Sequence, residues 1–156
     1  MKIRDAVSED AAVACEVMRR SIAELCRADH RDDPAVLQRW LSNKRPEIFK
    51  SWMRPGNSLL VAVEDDRVLA VGSITDTGEI TLNYVLPDAR FRGVSSALLA
   101  ALEDRARARG VAVCTLASTE TARRFYLARG YAETGPADGK FGTVSGYPMS
   151  KPMAPG

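Results

Sequence analysis

The residues best suited to chemistry lie in one stretch, Val85-Leu86-Pro87-Asp88-Ala89-Arg90-Phe91-Arg92-Gly93-Val94-Ser95-Ser96. A β-rich run stops at Pro87, a basic turn follows, and an amphipathic pattern begins after Gly93. A turn from a strand into a helix leaves main-chain N–H groups without partners, and the helix dipole adds positive potential at the same point. Gly93 lets a ligand approach the backbone, Arg90 and Arg92 add full charges, and the small Ser95 and Ser96 leave the way open. The stretch therefore predicts a seat for a diphosphate. It has neither the three-glycine spacing of a dinucleotide-binding turn nor the Gly-Lys-Ser/Thr of a P-loop.

Groups able to move protons flank that seat. In a regular strand over 79–86, Glu79, Thr81, Asn83 and Val85 point one way, and Ile80, Leu82 and Tyr84 the other. The first set is polar enough to face a substrate cleft, which makes Glu79 a candidate base and Asn83 a candidate substrate contact. His30 falls in the polar run Asp29-His30-Arg31-Asp32-Asp33; its reference pKa of about 6.5 also suits a base, and like Asn83 it is a candidate substrate contact. An exposed histidine without a role is the alternative. A water relay is a third. Tyr126 shares a helical face with Ala122, Phe125 and Arg129 on a helix expected over 119–129.

Elements that would position these groups follow from periodicity. A short strand over 2–6 precedes a helix capped by Ser8 and running to about Cys26. Asp33-Pro34 reads as a second helix start, and Pro46 to Met53 as a third. Runs 58–64 and 67–75 form a hairpin at Asp65-Asp66, and 79–86 a third strand after the turn Asp76-Thr77-Gly78. A helix from Val94 closes at Gly110, strand 111–117 follows, then the helix over 119–129 and a strand over 131–134. The last strand lies near 145–153, where Pro148 and Pro152 argue for an irregular or edge position. The order predicts an α/β mixed sheet, mostly antiparallel, flanked by helices, with one β-helix-β crossover. A single domain over 1–153 with a tail at 154–156 is expected.

Two motifs in this order resemble a known family. Arg90-x-x-Gly93-x-Ser95 resembles the Gln/Arg-x-x-Gly-x-Gly/Ala motif of the GCN5-related N-acetyltransferase (GNAT) superfamily, and it lies where that family has it. Ala122, Phe125-Tyr126 and Gly130-Tyr131 resemble its second motif. Departures are Ser95 for a second glycine or alanine, Phe91 for a frequent glycine, and Thr119 for a common asparagine. The resemblance implies a single-domain acyl-CoA N-acyltransferase that moves acetyl from acetyl-CoA to an amine of a small molecule or peptide. A silent acyl-CoA-binding regulatory module on the same fold is the alternative. It further implies that Tyr84, Val85, Arg90, Phe91, Arg92, Gly93, Val94, Ser95, Ser96, Thr119 and Phe125 contact the coenzyme. Tyr126 would protonate the sulfur, and Glu79 occupies a spacing similar to that of a catalytic glutamate among the family's histone acetyltransferases. By the same analogy a homodimer is admitted.

Composition narrows the partners. Lys plus Arg number 22 against 20 Asp plus Glu in 156 residues, too even to argue for nucleic acid. The single histidine and three scattered cysteines, Cys15, Cys26 and Cys114, suggest neither a metal centre nor a disulfide framework, and Cys114 sits in a core-like apolar run. No apolar run has the length of a membrane span, so a cytoplasmic protein with no membrane partner is expected.

Overall fold

The computed structural model describes residues 1–143 and 145–154; Pro155 and Gly156 of the expected tail lie outside the described residues. One sheet organises the chain. Its strands are β1 (Lys2–Asp5), β2 (Asn57–Glu64), β3 (Arg67–Thr75), β4 (Glu79–Val85), β5 (Val113–Ser118), β6 (Ala132–Glu133) and β7 (Tyr147–Pro152). Their order is β1-β2-β3-β4-β5-β7-β6, and every pairing is antiparallel except β4 with β5. The helices are α1 (Ala11–Leu25), α2 (Arg27–His30), α3 (Pro34–Leu41), α4 (Pro46–Ser51), α5 (Val94–Ala108) and α6 (Arg123–Ala128). Among the described residues no helix is long and apolar enough to cross a membrane.

The central strands are covered on both faces, which is why β2 and β3 read as near-continuous apolar runs. Asp65 and Asp66 both take left-handed φ, 51° and 61°, as a two-residue hairpin turn requires. α5 packs closely on β3 because Gly72 is bare: a Cβ there would meet Leu98 and Leu102 at 3.0–3.1 Å. α1 buries Ala14, Val17 and Met18 in the same core. Asp33 caps α3 as expected, accepting from the N–H groups of Ala35 and Val36.

Several local expectations are corrected. Ser8 does not cap the first helix: Ser8–Asp10 form a 3-10 turn ahead of α1, in which the Asp10 carboxylate accepts the Val7 N–H at 2.7 Å and pairs with Arg4. The helix expected from Thr119 begins at Arg123, because the Thr119 hydroxyl accepts the Ala122 N–H and holds the preceding residues in a turn. β7 is interior, between β5 and β6. Its prolines are tolerated because residues 148 and 152 both direct their missing N–H toward β6, which is only two residues long.

The largest correction concerns β4. Ser73 pairs with Leu82 and Ile74 with Ile80, so Thr81 is an extra residue in the ladder. The bulge shifts the side-chain parity. Asn83 and Val85 therefore share a face with Ile80, whereas Glu79 lies on the opposite face with Leu82 and Tyr84.

Candidate active site

β4 and β5 pair only at Glu79–Thr115 and Ile80–Leu116, and then part. Between them opens a cleft of about 510 Å³ that reaches from the start of α5 to Ser21 and Leu25 of α1. The Leu86 N–H bonds to Leu69 on β3, so by alternation Leu82 and Tyr84 turn their main chain toward β3. Asn83 and Val85 turn theirs toward the opening. A strand that has lost a neighbour on one side thus presents N–H groups to whatever fills the cleft.

At one mouth of the cleft the chain leaves β4 through a single tight turn, Pro87–Ala89, and enters α5 at Gly93. Gly93 has φ 78°, and a Cβ there would meet nothing within 4 Å. The requirement for glycine is therefore conformational rather than spatial, worth about 1–2 kcal/mol. The first intrahelical bond runs from Ala97 N–H to Gly93 O, which leaves the N–H groups of Val94, Ser95 and Ser96 available. Ser95 lies inside the helix without a left-handed φ, so the backbone does not require glycine there. The turn's second left-handed position is Phe91, at φ 66° and 89% exposed, with the Arg90 guanidinium 4.5 Å from its ring centroid.

Arg90, Phe91, Gly93, Val94, Ser95 and Ser96 all line the cleft, as do Asn83, Tyr84, Val85, Thr119, Phe125 and Tyr126. Three other expected site residues do not. Arg92 turns away to pair with Glu64 at 2.7 Å. Glu79 is exposed at the start of β4. His30 is neither exposed nor in a loop: it ends α2 and is 1% exposed. Its Nε2 lies 3.0 Å from the Ile22 carbonyl and its Nδ1 accepts the Asp32 N–H at 2.9 Å, so both ring nitrogens are occupied in one neutral tautomer.

Tyr126 projects from α6 into the opening. It is 6% exposed, and its hydroxyl accepts from Asn83 Nδ2 at 3.0 Å. Because the amide donates, the phenol proton is left to point elsewhere. Burial pushes the phenol up to about 12 against the lowering effect of the Asn83 bond. Phe125 and Tyr131 both meet the ring edge-on, at 5.2 and 5.7 Å between centroids, and fix its plane. Asn83 Oδ1 is buried without a partner.

Asp29 is a structural participant that sequence reasoning missed. It is 2% exposed, and its carboxylate accepts from Glu120 N–H at 2.7 Å, Thr121 N–H at 3.3 Å and the Thr121 hydroxyl at 2.7 Å. It ties α2 to the turn that leads from β5 into α6, and so helps hold Tyr126 in place. Nothing in a run containing Asp29, Asp32 and Asp33 singles out the first of them. On the far wall, Trp40 Nε1 donates to the Tyr84 hydroxyl at 3.2 Å, and burial pushes the Tyr84 phenol and the Cys26 thiol upward, the latter to about 12. That thiol is no nucleophile at neutral pH. Cys114, fully buried and raised by burial, is core.

The family model of the acetyltransferase (GNAT) domain matches residues 26–153. The chain belongs to the GNAT acetyltransferase family. Its mixed seven-stranded sheet is the GNAT fold seen in solved structures. One is a GCN5-related N-acetyltransferase from Rhodopseudomonas palustris: 26% identity, 97% of this chain and 94% of that one covered, TM-score 0.86. Another is the PaiA N-acetyltransferase of Thermoplasma acidophilum in complex with coenzyme A: 19% identity, 97% and 98% covered, TM-score 0.81. A third is the aminoglycoside 6′-N-acetyltransferase of Enterococcus faecium: 15% identity, 100% and 99% covered, TM-score 0.71. A search of curated proteins found no significant match.

Proposed function

We propose that this GNAT protein moves an acetyl group from acetyl-CoA to a primary amine of a small molecule or peptide, by direct attack within a ternary complex. The observation that carries this reading is that one cleft contains both the N-terminal turn of α5 and the Tyr126 hydroxyl. The free N–H groups of the turn, with Arg90, take the coenzyme diphosphate. Pantetheine then runs along the unpaired side of β4 toward Tyr126.

In the reaction the amine lone pair attacks the thioester carbonyl carbon, and the C–N bond forms as the carbonyl pair moves to oxygen. Main-chain N–H groups of Asn83 and Val85 supply the donors to that oxyanion. Collapse breaks the C–S bond. The Tyr126 phenol, near 12, is a weaker acid than a thiol of about 8.5. It therefore acts by donating a hydrogen bond to the sulfur as charge builds, and full proton transfer is uphill. Glu79 and His30 stand outside the cleft, so solvent carries away the amine proton.

The test is thiol release from acetyl-CoA against polyamines, aminoglycosides, amino acids and peptide N-termini. Release with at least one class is expected. Coenzyme binding without release from any would favour a silent acyl-CoA-binding module on the same fold and overturn this reading.

A further inference from the structure

Arg129 follows α6 directly, and its side chain crosses to the first turn of α5. Nε and Nη2 donate to the Ser96 hydroxyl at 3.1 and 2.6 Å, and Nη1 donates to the Phe125 carbonyl at 3.0 Å. The guanidinium carbon sits 3.8 Å from the Phe125 ring centroid. All three bonds go to neutral oxygens, and among the described residues no carboxylate pairs with this arginine. Arg92 and Arg123, by contrast, are paired with Glu64 and Glu133. A guanidinium has five N–H groups, so donors remain after three are used.

The side chain also lines the cleft, together with Arg90 and the N–H-bearing residues Val94, Ser95 and Ser96. A half-buried cation without an acid is costly until an anion arrives. Here the ring stack and the Ser96 bonds hold it in one orientation beforehand, so little side-chain entropy is lost on binding. Arg90 borders the seat from the turn before α5, and Arg129 borders it from α6.

We infer that Arg129 is a phosphate ligand of the coenzyme, closing on the anion from the α6 side of the seat. This rests on the coenzyme reading proposed above. The phosphate it meets belongs either to the diphosphate or to the 3′-monoester of the adenosine end, and the two are separable. Binding of coenzyme A and 3′-dephospho-coenzyme A by calorimetry, and of pantetheine by NMR titration, is compared for the wild type and Arg129→Ala. A loss of about 10- to 100-fold for coenzyme A is expected, with pantetheine unchanged and a shallower salt dependence. If 3′-dephospho-coenzyme A loses as much as coenzyme A, the contact is to the diphosphate; if it behaves like pantetheine, the contact is to the monoester. Equal losses for all three ligands, or no loss for any, would overturn the inference. Arg129→Gln, which can keep the Ser96 bond and the ring contact, should show the same selective loss and serves if the alanine variant does not fold. A wild type that binds no coenzyme A at all would instead sink the coenzyme reading itself.

Discussion

The two ends of β4 lie in one short strand and are opposite in character. At the first end Glu79 and Ile80 are paired with β5, and the Glu79 carboxylate faces solvent. At the second, Asn83 and Val85 have no neighbour on that side and face the cleft with Tyr126. The extra residue at Thr81 separates the two regimes and puts the Glu79 side chain on the face opposite Asn83 and Val85. The lesson is that the opening in this sheet comes from a strand losing its partner. Side-chain polarity along β4 is a poor guide to which residues reach it.

The contrast can be broken most forcefully at its second end. Tyr126→Phe should lower kcat by about 10- to 1,000-fold while leaving coenzyme affinity nearly intact. Steady-state kinetics with a separate binding measurement check this, and full turnover would remove the phenol from the chemistry. Next in size, Gly93→Val forces a β-branched residue to φ 78° and should weaken coenzyme binding by about tenfold or more as the turn relaxes. Calorimetry reads that loss.

Alkaline pH should act on the second end as well. Burial raises Tyr126 to about 12 and also raises Tyr84 and Tyr131. In the unfolded chain these phenols ionise near about 10. Their contribution to stability is thus complete below about pH 10 and is lost as pH rises through the folded values. Thermal melts should show a falling midpoint between about pH 10 and 12, and turnover should have no descending limb below about pH 10. The smallest effect belongs to the first end. Glu79→Gln should change kcat/KM by less than about threefold, as an exposed side chain outside the cleft should. A hundredfold loss would restore Glu79 as the base and erase the distinction between the ends.

Much of the fold was legible because its signals are local. Asp65-Asp66 set the hairpin, Asp33-Pro34 set the start of α3, and Gly93 together with the periodicity after it set α5. The turn proposed to seat the diphosphate was legible for the same reason, being one local stretch of chain. What stayed hidden depends on pairing across the chain. A bulge is defined by a partner strand, so nothing in Glu79-Ile80-Thr81-Leu82 announces that Thr81 is supernumerary. Arg92 and Arg90 look alike in sequence, and only the nearness of Glu64 on β2 takes the former out of the cleft. His30 reads as exposed because its neighbours are charged, yet two helix carbonyls and the Asp32 N–H satisfy it inside. Asp29 reaches across more than ninety positions to the α6 turn, beyond any periodicity.

The most direct measurement is a structure of the protein with coenzyme A bound. Diphosphate oxygens are expected on the N–H groups of residues 94–96, and the sulfur within hydrogen-bond reach of the Tyr126 hydroxyl, in the gap between β4 and β5. Coenzyme bound elsewhere, or bound with its sulfur directed away from Tyr126, would contradict it.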